Sequence, residues 1–281
     1  MSAATGRFSV LHVSDVHATE GGLLYGAVDG LGRLAQLAEY AAAVGMTPEA
    51  VVVTGDLAQR GNPGAYPELA RAFAALERAV GAPVVTVLGN HDDPAAAAAL
   101  PRHRVRHFGV ERIGEYRFVR LDSSSGSLGT EQLAWLREAL AEPHGAGTVV
   151  ALHHPPVDSP LPALRKQGLR DADALMGALA GTDARAILAG HFHHSLSASR
   201  DGIPIFVGPS LAYHQVMDAG PDAVAGHDSP MFSLVQFTSV GVTASAIPLH
   251  SPQPLFTRLI AEQVDSPHPA VPLSEKATHV S

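Results

Sequence analysis

"ARAILAGHFHHSL", residues 184–196, opens as an apolar run, breaks at Gly190 and then delivers three histidines within four positions. Histidine is costly to bury without a partner, so a cluster of it where a strand should be ending implies something for it to hold. Four other stretches share this plan: FSVLHVS (8–14), AVVVTG (50–55), PVVTVLG (83–89) and GTVVALH (147–153). Each is short, β-branched and almost continuously apolar, as expected of strands buried on both faces of a sheet. Each also ends in a polar cluster: SDVH (14–17), GDLA (55–58), GNHDD (89–93), HHPP (153–156) and, in the opening stretch, GHFHH (190–194).

Helical periodicity fills the gaps. It predicts helices over 27–44 (Leu31, Leu34, Leu37), over 65–80 (Leu69, Phe73, Leu76, Val80), after Thr130 as N-cap (Leu133, Leu136, Leu140), and over 171–180. Alternating strands and helices give an α/β layered fold. Residues 204–249 change character: IPIFVGPS, MFSLVQFTSV and VTASAIPL are expected as consecutive antiparallel strands, forming a second sheet or an extension of the first. The domain is expected to span 1–250, with a Pro/Ser-rich tail at 251–281 carrying a short helix near 256–263.

Ligands bind beyond the carboxyl ends of strands in open α/β sheets. Five strands would therefore bring Asp, His and Asn to one edge. Asp15 and His17 are two apart and share a side on an extended backbone, and His191 and His193 repeat the spacing. With no cysteine in the chain, disulfides, thiolate catalysis and zinc–thiolate sites are excluded. Oxygen and imidazole donors suit Mn²⁺, Fe, Zn²⁺ or Mg²⁺. Seven candidates (Asp15, His17, Asp56, Asn90, His153, His191, His193) are too many for one ion and suit two that share a bridging carboxylate. Paired metals are the usual apparatus for phosphate ester hydrolysis, through a hydroxide made at neutral pH and neutralised phosphoryl oxygens.

The ordered set D-x-H, G-D, G-N-H-D, H-H-P-P and G-H-x-H, over residues 13–194, resembles the calcineurin-like metallophosphoesterases. LHVSDVHATEGGLLYGAVD, TGDLAQRG, LGNHDD, ALHHPP and AILAGHFHHS further resemble the bacterial class III cyclic nucleotide phosphodiesterases. The resemblance implies a four-layer αββα sandwich of two mixed sheets flanked by helices. It implies that Asp15, His17 and His193 bind one metal, that Asn90, His153 and His191 bind the other, and that Asp56 bridges them. It implies that Asn90 and His91 contact the phosphate and that Asp92 orients the His91 ring. The expected reaction is hydrolysis of 3′,5′-cyclic nucleotides such as cAMP to 5′-monophosphates by a metal-bound hydroxide, with two ions drawn from Mn²⁺, Fe²⁺/Fe³⁺ and Zn²⁺.

Other readings compete with parts of this picture. A glycerophosphodiester or 2′,3′-cyclic nucleotide phosphodiesterase uses the same chemistry, and the ligand set does not distinguish diester from monoester. A non-catalytic scaffold is opposed by the complete ligand set. A nuclease or other long nucleic acid partner is opposed by a net charge of −8. No run reaches the roughly 18 apolar residues of a membrane span, so a cytoplasmic enzyme without stable membrane insertion is the expectation, and the resemblance to related enzymes implies a homodimer. His154 should face away from His153 on an extended strand. His194 either lines the substrate pocket or is exposed. Tyr213 and His214 stand near the ligand edge. Residues 102–120 carry six arginines, with Arg102, Arg104 and Arg106 on one face of a solvated strand. His227, His250, His268 and His279 are expected at the surface.

Overall fold

The computed structural model describes residues 6–220 and 222–257. Residues up to His250 form one compact unit. Its strands are β1 (Phe8–Val13), β2 (Ala50–Thr54), β3 (Val84–Val87), β4 (Gly109–Ile113), β5 (Tyr116–Arg120), β6 (Gly147–Ala151), β7 (Ala184–Ala189), β8 (Leu196–Arg200), β9 (Ile203–Val207), β10 (His214–Gln215), β11 (Gly226–His227), β12 (Met231–Phe237) and β13 (Val242–Pro248). Its α-helices are α1 (Gly30–Ala43), α2 (Tyr66–Val80), α3 (Gly129–Ala139) and α4 (Ala172–Leu179).

Two mixed sheets form the middle layers. The first has order β13-β12-β1-β2-β3 and the second β4-β5-β6-β7-β9-β8, with β10 and β11 as a separate small ribbon. The pairs β1–β2 and β2–β3 are parallel, as are β5–β6, β6–β7 and β7–β9. The period-2 pattern of each strand decides what it faces. Phe8, Val10, Val52, Val85, Phe118, Val149, Leu188 and Phe237 meet between the sheets, where the Phe8 and Tyr116 ring centroids are 4.6 Å apart. Leu11, Val13, Val51 and Val53 turn outward onto α1 and α2, and Val150, Leu152 and Ile187 onto α3 and α4. Burying each such side chain contributes about 1.5–3 kcal/mol. Helix α2 shows why the layers seat well: its buried residues Tyr66, Leu69, Phe73, Leu76 and Val80 recur at intervals of three and four. The arrangement is the four-layer αββα sandwich.

Several local expectations differ. The strands of 204–249 are not one antiparallel set: β9 joins the second sheet parallel to β7, while β12 and β13 extend the first. Thr130 does not cap α3. The Asp171 carboxylate, far off in sequence, accepts from Leu128 N and Gly129 N instead. Residues 101–103 are a 3₁₀ turn, so Arg102, Arg104 and Arg106 do not alternate on a strand. Two of the six arginines are buried: Arg117 against Asp183 at 2.8 Å and Arg120 beside Glu111 at 3.3 Å. The helix expected near 256–263 lies outside the described residues apart from 256 and 257, which are not helical. Among the described residues no helix is long and apolar enough to cross a membrane.

Candidate metal centre

The parallel strands leave their carboxyl ends along one edge, and the turns there are sewn together. Asp15 N donates to Gly55 O at 3.1 Å, His17 N to Asp56 O at 2.9 Å and Gly190 N to His153 O at 3.0 Å. Ala212, beyond β9, donates to Asp15 O at 3.0 Å, linking the second sheet to the first. The turns after β1, β2, β3, β6 and β7 thus bring all seven candidate ligands together. The backbone does this differently from the extended geometry expected of the Asp15/His17 and His191/His193 pairs. Asp15, His17, Asp56, His191 and His193 have φ of 53°, 49°, 48°, 76° and 53°, in the left-handed region that non-glycine residues seldom occupy. Gly55 also has positive φ, 87°, and a Cβ there would run into the His153 ring.

Hydrogen bonding fixes which ring nitrogens carry lone pairs. His17 Nδ1 lies 2.8 Å from Gln59 Oε1, and His193 Nδ1 lies 3.2 Å from the Tyr213 carbonyl. Both partners are acceptors, so the proton sits on Nδ1 and the Nε2 lone pairs point inward. There the two Nε2 atoms are 3.1 Å apart, with Asp15 Oδ1 3.3 Å from His193 Nε2 and Asp56 Oδ2 3.6 Å from His17 Nε2. His153 repeats the pattern: Nδ1 donates to Thr54 O at 2.8 Å. Its Nε2 faces Asn90 Oδ1 at 3.1 Å, His191 Nδ1 at 3.2 Å and Asp56 Oδ2 at 3.4 Å. Two groups of acceptors therefore converge, and Asp56 Oδ2 belongs to both.

Acceptors packed this closely repel one another unless positive charge lies between them. The buried Asp15 Oδ1 and His191 Nε2 have no hydrogen-bond partner among the described residues. Burial by itself would raise the Asp15 carboxyl, but His193 and His153 hold it well below the usual range. Asp56 behaves likewise under burial opposed by His153, His17 and His91. Burial lowers His17 to about 4 against the pull of Asp56, and burial with His153 lowers His191 to about 3. His153 differs: burial lowers it, yet Asp56 and Asp15 outweigh this and raise it to about 9. Anionic carboxylates, neutral imidazoles and one ring driven toward the cation describe a centre built around positive charge. The donor set is hard oxygen and imidazole, which fits a pair of divalent or trivalent ions.

The neighbours show where sequence reasoning fell short. Asp92 does not orient the His91 ring. Its carboxylate accepts from Leu57 N at 3.1 Å, Ala58 N at 2.9 Å, Gly89 N at 2.8 Å and Tyr66 Oη at 2.8 Å. It fastens the turns that carry Asp56 and Asn90, and burial together with the Asp56 charge raises its pKa to about 6. His91 donates its backbone N–H to Asp56 Oδ1 at 2.8 Å and sets its ring edge-on to His17, with centroids 4.9 Å apart. Burial lowers its pKa, and its Nδ1 has no hydrogen-bond partner among the described residues.

His154 does not face away from His153. Both follow the end of β6, where strand alternation no longer applies, and the His154 ring centroid lies 4.4 Å from that of His191. The Ser123 hydroxyl accepts from the backbone N–H of both His153 and His154, at 3.2 and 3.0 Å. His194 is not exposed: it is buried, with Nε2 3.0 Å from Ser159 Oγ. Tyr213 covers the centre, its ring 4.2 Å from that of His193, while His214 is half-buried in β10 opposite His227. His227 and His250 are exposed as expected, and His268 and His279 lie outside the described residues. Gln59 and Ser123 were not foreseen. Gln59 sits three residues beyond Asp56 in TGDLAQRG, which is the signal that could have marked it.

The family model for the calcineurin-like phosphoesterases matches residues 8–195. The chain belongs to the calcineurin-like phosphoesterase family. It is 40% identical over 258 residues to a cAMP/cGMP dual specificity phosphodiesterase of Mycobacterium tuberculosis (strain CDC 1551 / Oshkosh), covering 86% of this chain and 80% of that one. It is 36% identical over 252 residues to a "Probable cyclic nucleotide phosphodiesterase" of Rhodococcus erythropolis, covering 85% and 83%. Among solved structures, a dimetal phosphatase from Danio rerio superposes with a TM-score of 0.59 at 14% identity, over 86% of this chain and 99% of that one. A calcineurin-like phosphoesterase uses a dinuclear metal site, and the Asp15, His17, Asp56 and His193 cluster and the His153, His154 and His191 cluster are candidates for its two halves.

Proposed function

We propose that this chain is a dinuclear metal-dependent phosphodiesterase that hydrolyses 3′,5′-cyclic nucleotides to nucleoside 5′-monophosphates. The observation that carries the reading is the pair of converging acceptor groups joined at Asp56 Oδ2. In this reading Asp15, His17 and His193 hold one ion, Asn90, His153 and His191 hold the other, and Asp56 serves both. When bound, such ions supply Lewis acidity toward phosphoryl oxygens and lower the pKa of coordinated water. Mn²⁺, Fe²⁺/Fe³⁺ and Zn²⁺ all suit the donors.

The chain's own residues do the rest. Gln59 and the Tyr213 carbonyl keep His17 and His193 in the tautomer that offers Nε2, and the Thr54 carbonyl holds the Nδ1 proton of His153. Asp92 holds the turns around Asp56 and Asn90 at fixed spacing. The neutral His91 ring, anchored through its backbone to Asp56, is the proton-bearing group free to meet a phosphoryl oxygen or the departing ester oxygen. Residues 1–250 serve as the phosphodiesterase domain and 251–281 as a tail. With a cyclic nucleotide as substrate, the working compartment is the cytoplasm.

The relatives named as cyclic nucleotide phosphodiesterases support the substrate class. Metal analysis of the purified protein, coupled to a panel of 3′,5′-cyclic, 2′,3′-cyclic, glycerol diester and monoester substrates, tests the reading. The expected result is two ions per chain and the highest kcat/KM for a 3′,5′-cyclic nucleotide. Protein that binds no metal and stays inactive after Mn²⁺ addition would refute it.

A further inference from the structure

Beside the metal centre lies a cavity of about 510 Å³, within the size range of small-molecule sites. Tyr25, Val28, Tyr213, Gln215, Val224 and Asp228 are among its walls. Its lining is unusual for an acidic protein's surface. Tyr25 is 76% exposed and Val224 60% exposed, although large apolar groups gain from being covered. Tyr25 also holds φ of 53°, so the backbone accepts strain while its ring stands out over the cavity. The Tyr25 and Tyr213 rings meet near edge-on with centroids 5.7 Å apart. Asp228, another lining residue, is pinned: Arg33, rooted in α1, pairs with it and donates to the Leu211 carbonyl at 3.2 Å.

Tyr213 makes this cavity part of the site. Tyr213 lines the cavity, and its ring centroid lies 4.2 Å from that of His193 and 6.1 Å from that of His17. In a cyclic nucleotide the phosphate is fused to the ribose and the base leaves from the far side of that sugar. A base pocket must therefore begin one sugar's breadth from the ligand cluster, and Tyr213 marks that distance. At the floor, Gln215 is nearly buried. Its backbone N–H is committed to His193 O at 2.9 Å, while its side-chain amide has no partner among the described residues and lines the cavity. An amide offers one acceptor and two donors, the complement that the edge of a nucleobase presents.

We infer that this cavity is the nucleobase pocket of the enzyme: Tyr25 and Tyr213 pack against the base and the Gln215 amide meets its edge. The inference rests on the cyclic nucleotide reading for its substrate, but the pocket can be tested apart from it. Two variants serve. Tyr25→Asn removes the ring while tolerating positive φ, and Val224→Glu sets a carboxylate on the apolar wall at an exposed position. For wild type and both variants, kcat/KM is measured for cAMP and for methyl 4-nitrophenyl phosphate, a diester with no base. Adenosine, which has no phosphate, is then tested as an inhibitor of the nitrophenyl ester reaction. Circular dichroism verifies folding.

The expected result is a fall of about ten-fold, equal to about 1.4 kcal/mol, in the cAMP-to-nitrophenyl ester ratio in each variant, with adenosine inhibition weakened to match. Rapid cAMP hydrolysis with ratio and adenosine inhibition unchanged in both variants overturns the pocket and leaves the phosphodiesterase reading intact. Wild-type protein that ignores cAMP, yet is inhibited by adenosine through a site both variants weaken, supports the pocket and overturns the substrate.

Discussion

Gln59→Leu tests whether the inward Nε2 lone pair of His17 is set from outside the centre. In the native chain Gln59 Oε1 accepts the His17 Nδ1 proton at 2.8 Å, in surroundings that leave His17 2% exposed. Leucine has nearly the same volume and no acceptor. A buried donor left unpaired costs about 1–3 kcal/mol, and the ring can escape this only by turning or moving its proton to Nε2, either of which withdraws the lone pair. The loss is expected as metal affinity weakened by about 10–100-fold at one position, the range for such outer partners. Calorimetric titration of the metal-free protein with Mn²⁺ is the assay. Two binding events are expected in wild type. In the variant the event involving His17 and His193 should weaken, while that of His153, His191 and Asn90 holds. Gln59→Glu, which keeps an acceptor, should bind at least as tightly as wild type. Identical titrations for wild type and Gln59→Leu would show that the tautomer is not set by this contact.

Asp92→Ala leaves three backbone N–H groups and the Tyr66 hydroxyl without their acceptor. It should cost about 3 kcal/mol or more, read as a fall of about 6–12 °C in Tm by calorimetry, with Tyr66→Phe losing about 1 kcal/mol. At Gly190 an added Cβ would overlap Ser14 Oγ and come within 2.8 Å of Thr54 O and 3.0 Å of Asp15 Oδ2. Gly190→Ala should therefore lose about 1–3 kcal/mol to overpacking and bind fewer metal equivalents by elemental analysis. Buried His103 contacts Thr86 Oγ1 at 2.9 Å, and burial with nearby Arg120 lowers its pKa to about 3. The unfolded ring takes a proton near pH 6.5 and the folded ring does not, so this contribution is intact above 6.5 and is lost as pH falls toward 3. The slope is at most about 1.4 kcal/mol per pH unit. Urea midpoints at pH 7 and pH 5 should differ less in His103→Asn than in wild type.

What could be read from the sequence was whatever a strand and its own next few residues decide. FSVLHV, AVVVT and ARAILA are apolar enough to specify buried strands alone, and each runs parallel to a neighbour in its own sheet, so that neighbouring polar clusters leave at the same end. What could not be read depends on partners far along the chain. Nothing within IPIFV says that it pairs with β7 while MFSLVQF pairs with β1. The cap of α3 comes from Asp171, 43 residues from Leu128. Asp92 looked like a partner for its neighbour His91, but its acceptors are filled by Leu57, Ala58, Gly89 and Tyr66 once the β2 and β3 turns meet. His153 and His154 defeated the alternation rule because they stand just past the strand that would have enforced it.

The positive φ angles of Asp15, His17, Asp56, His191 and His193 bear on how such a chain would change over generations. Each of these residues holds a conformation that glycine would adopt at lower cost, by roughly 1 kcal/mol or more. A lineage released from the need for its reaction would gain thermal robustness by drifting toward glycine or asparagine at these positions. The bulky side chains present there set the demands of chemistry against those of folding at the same five positions.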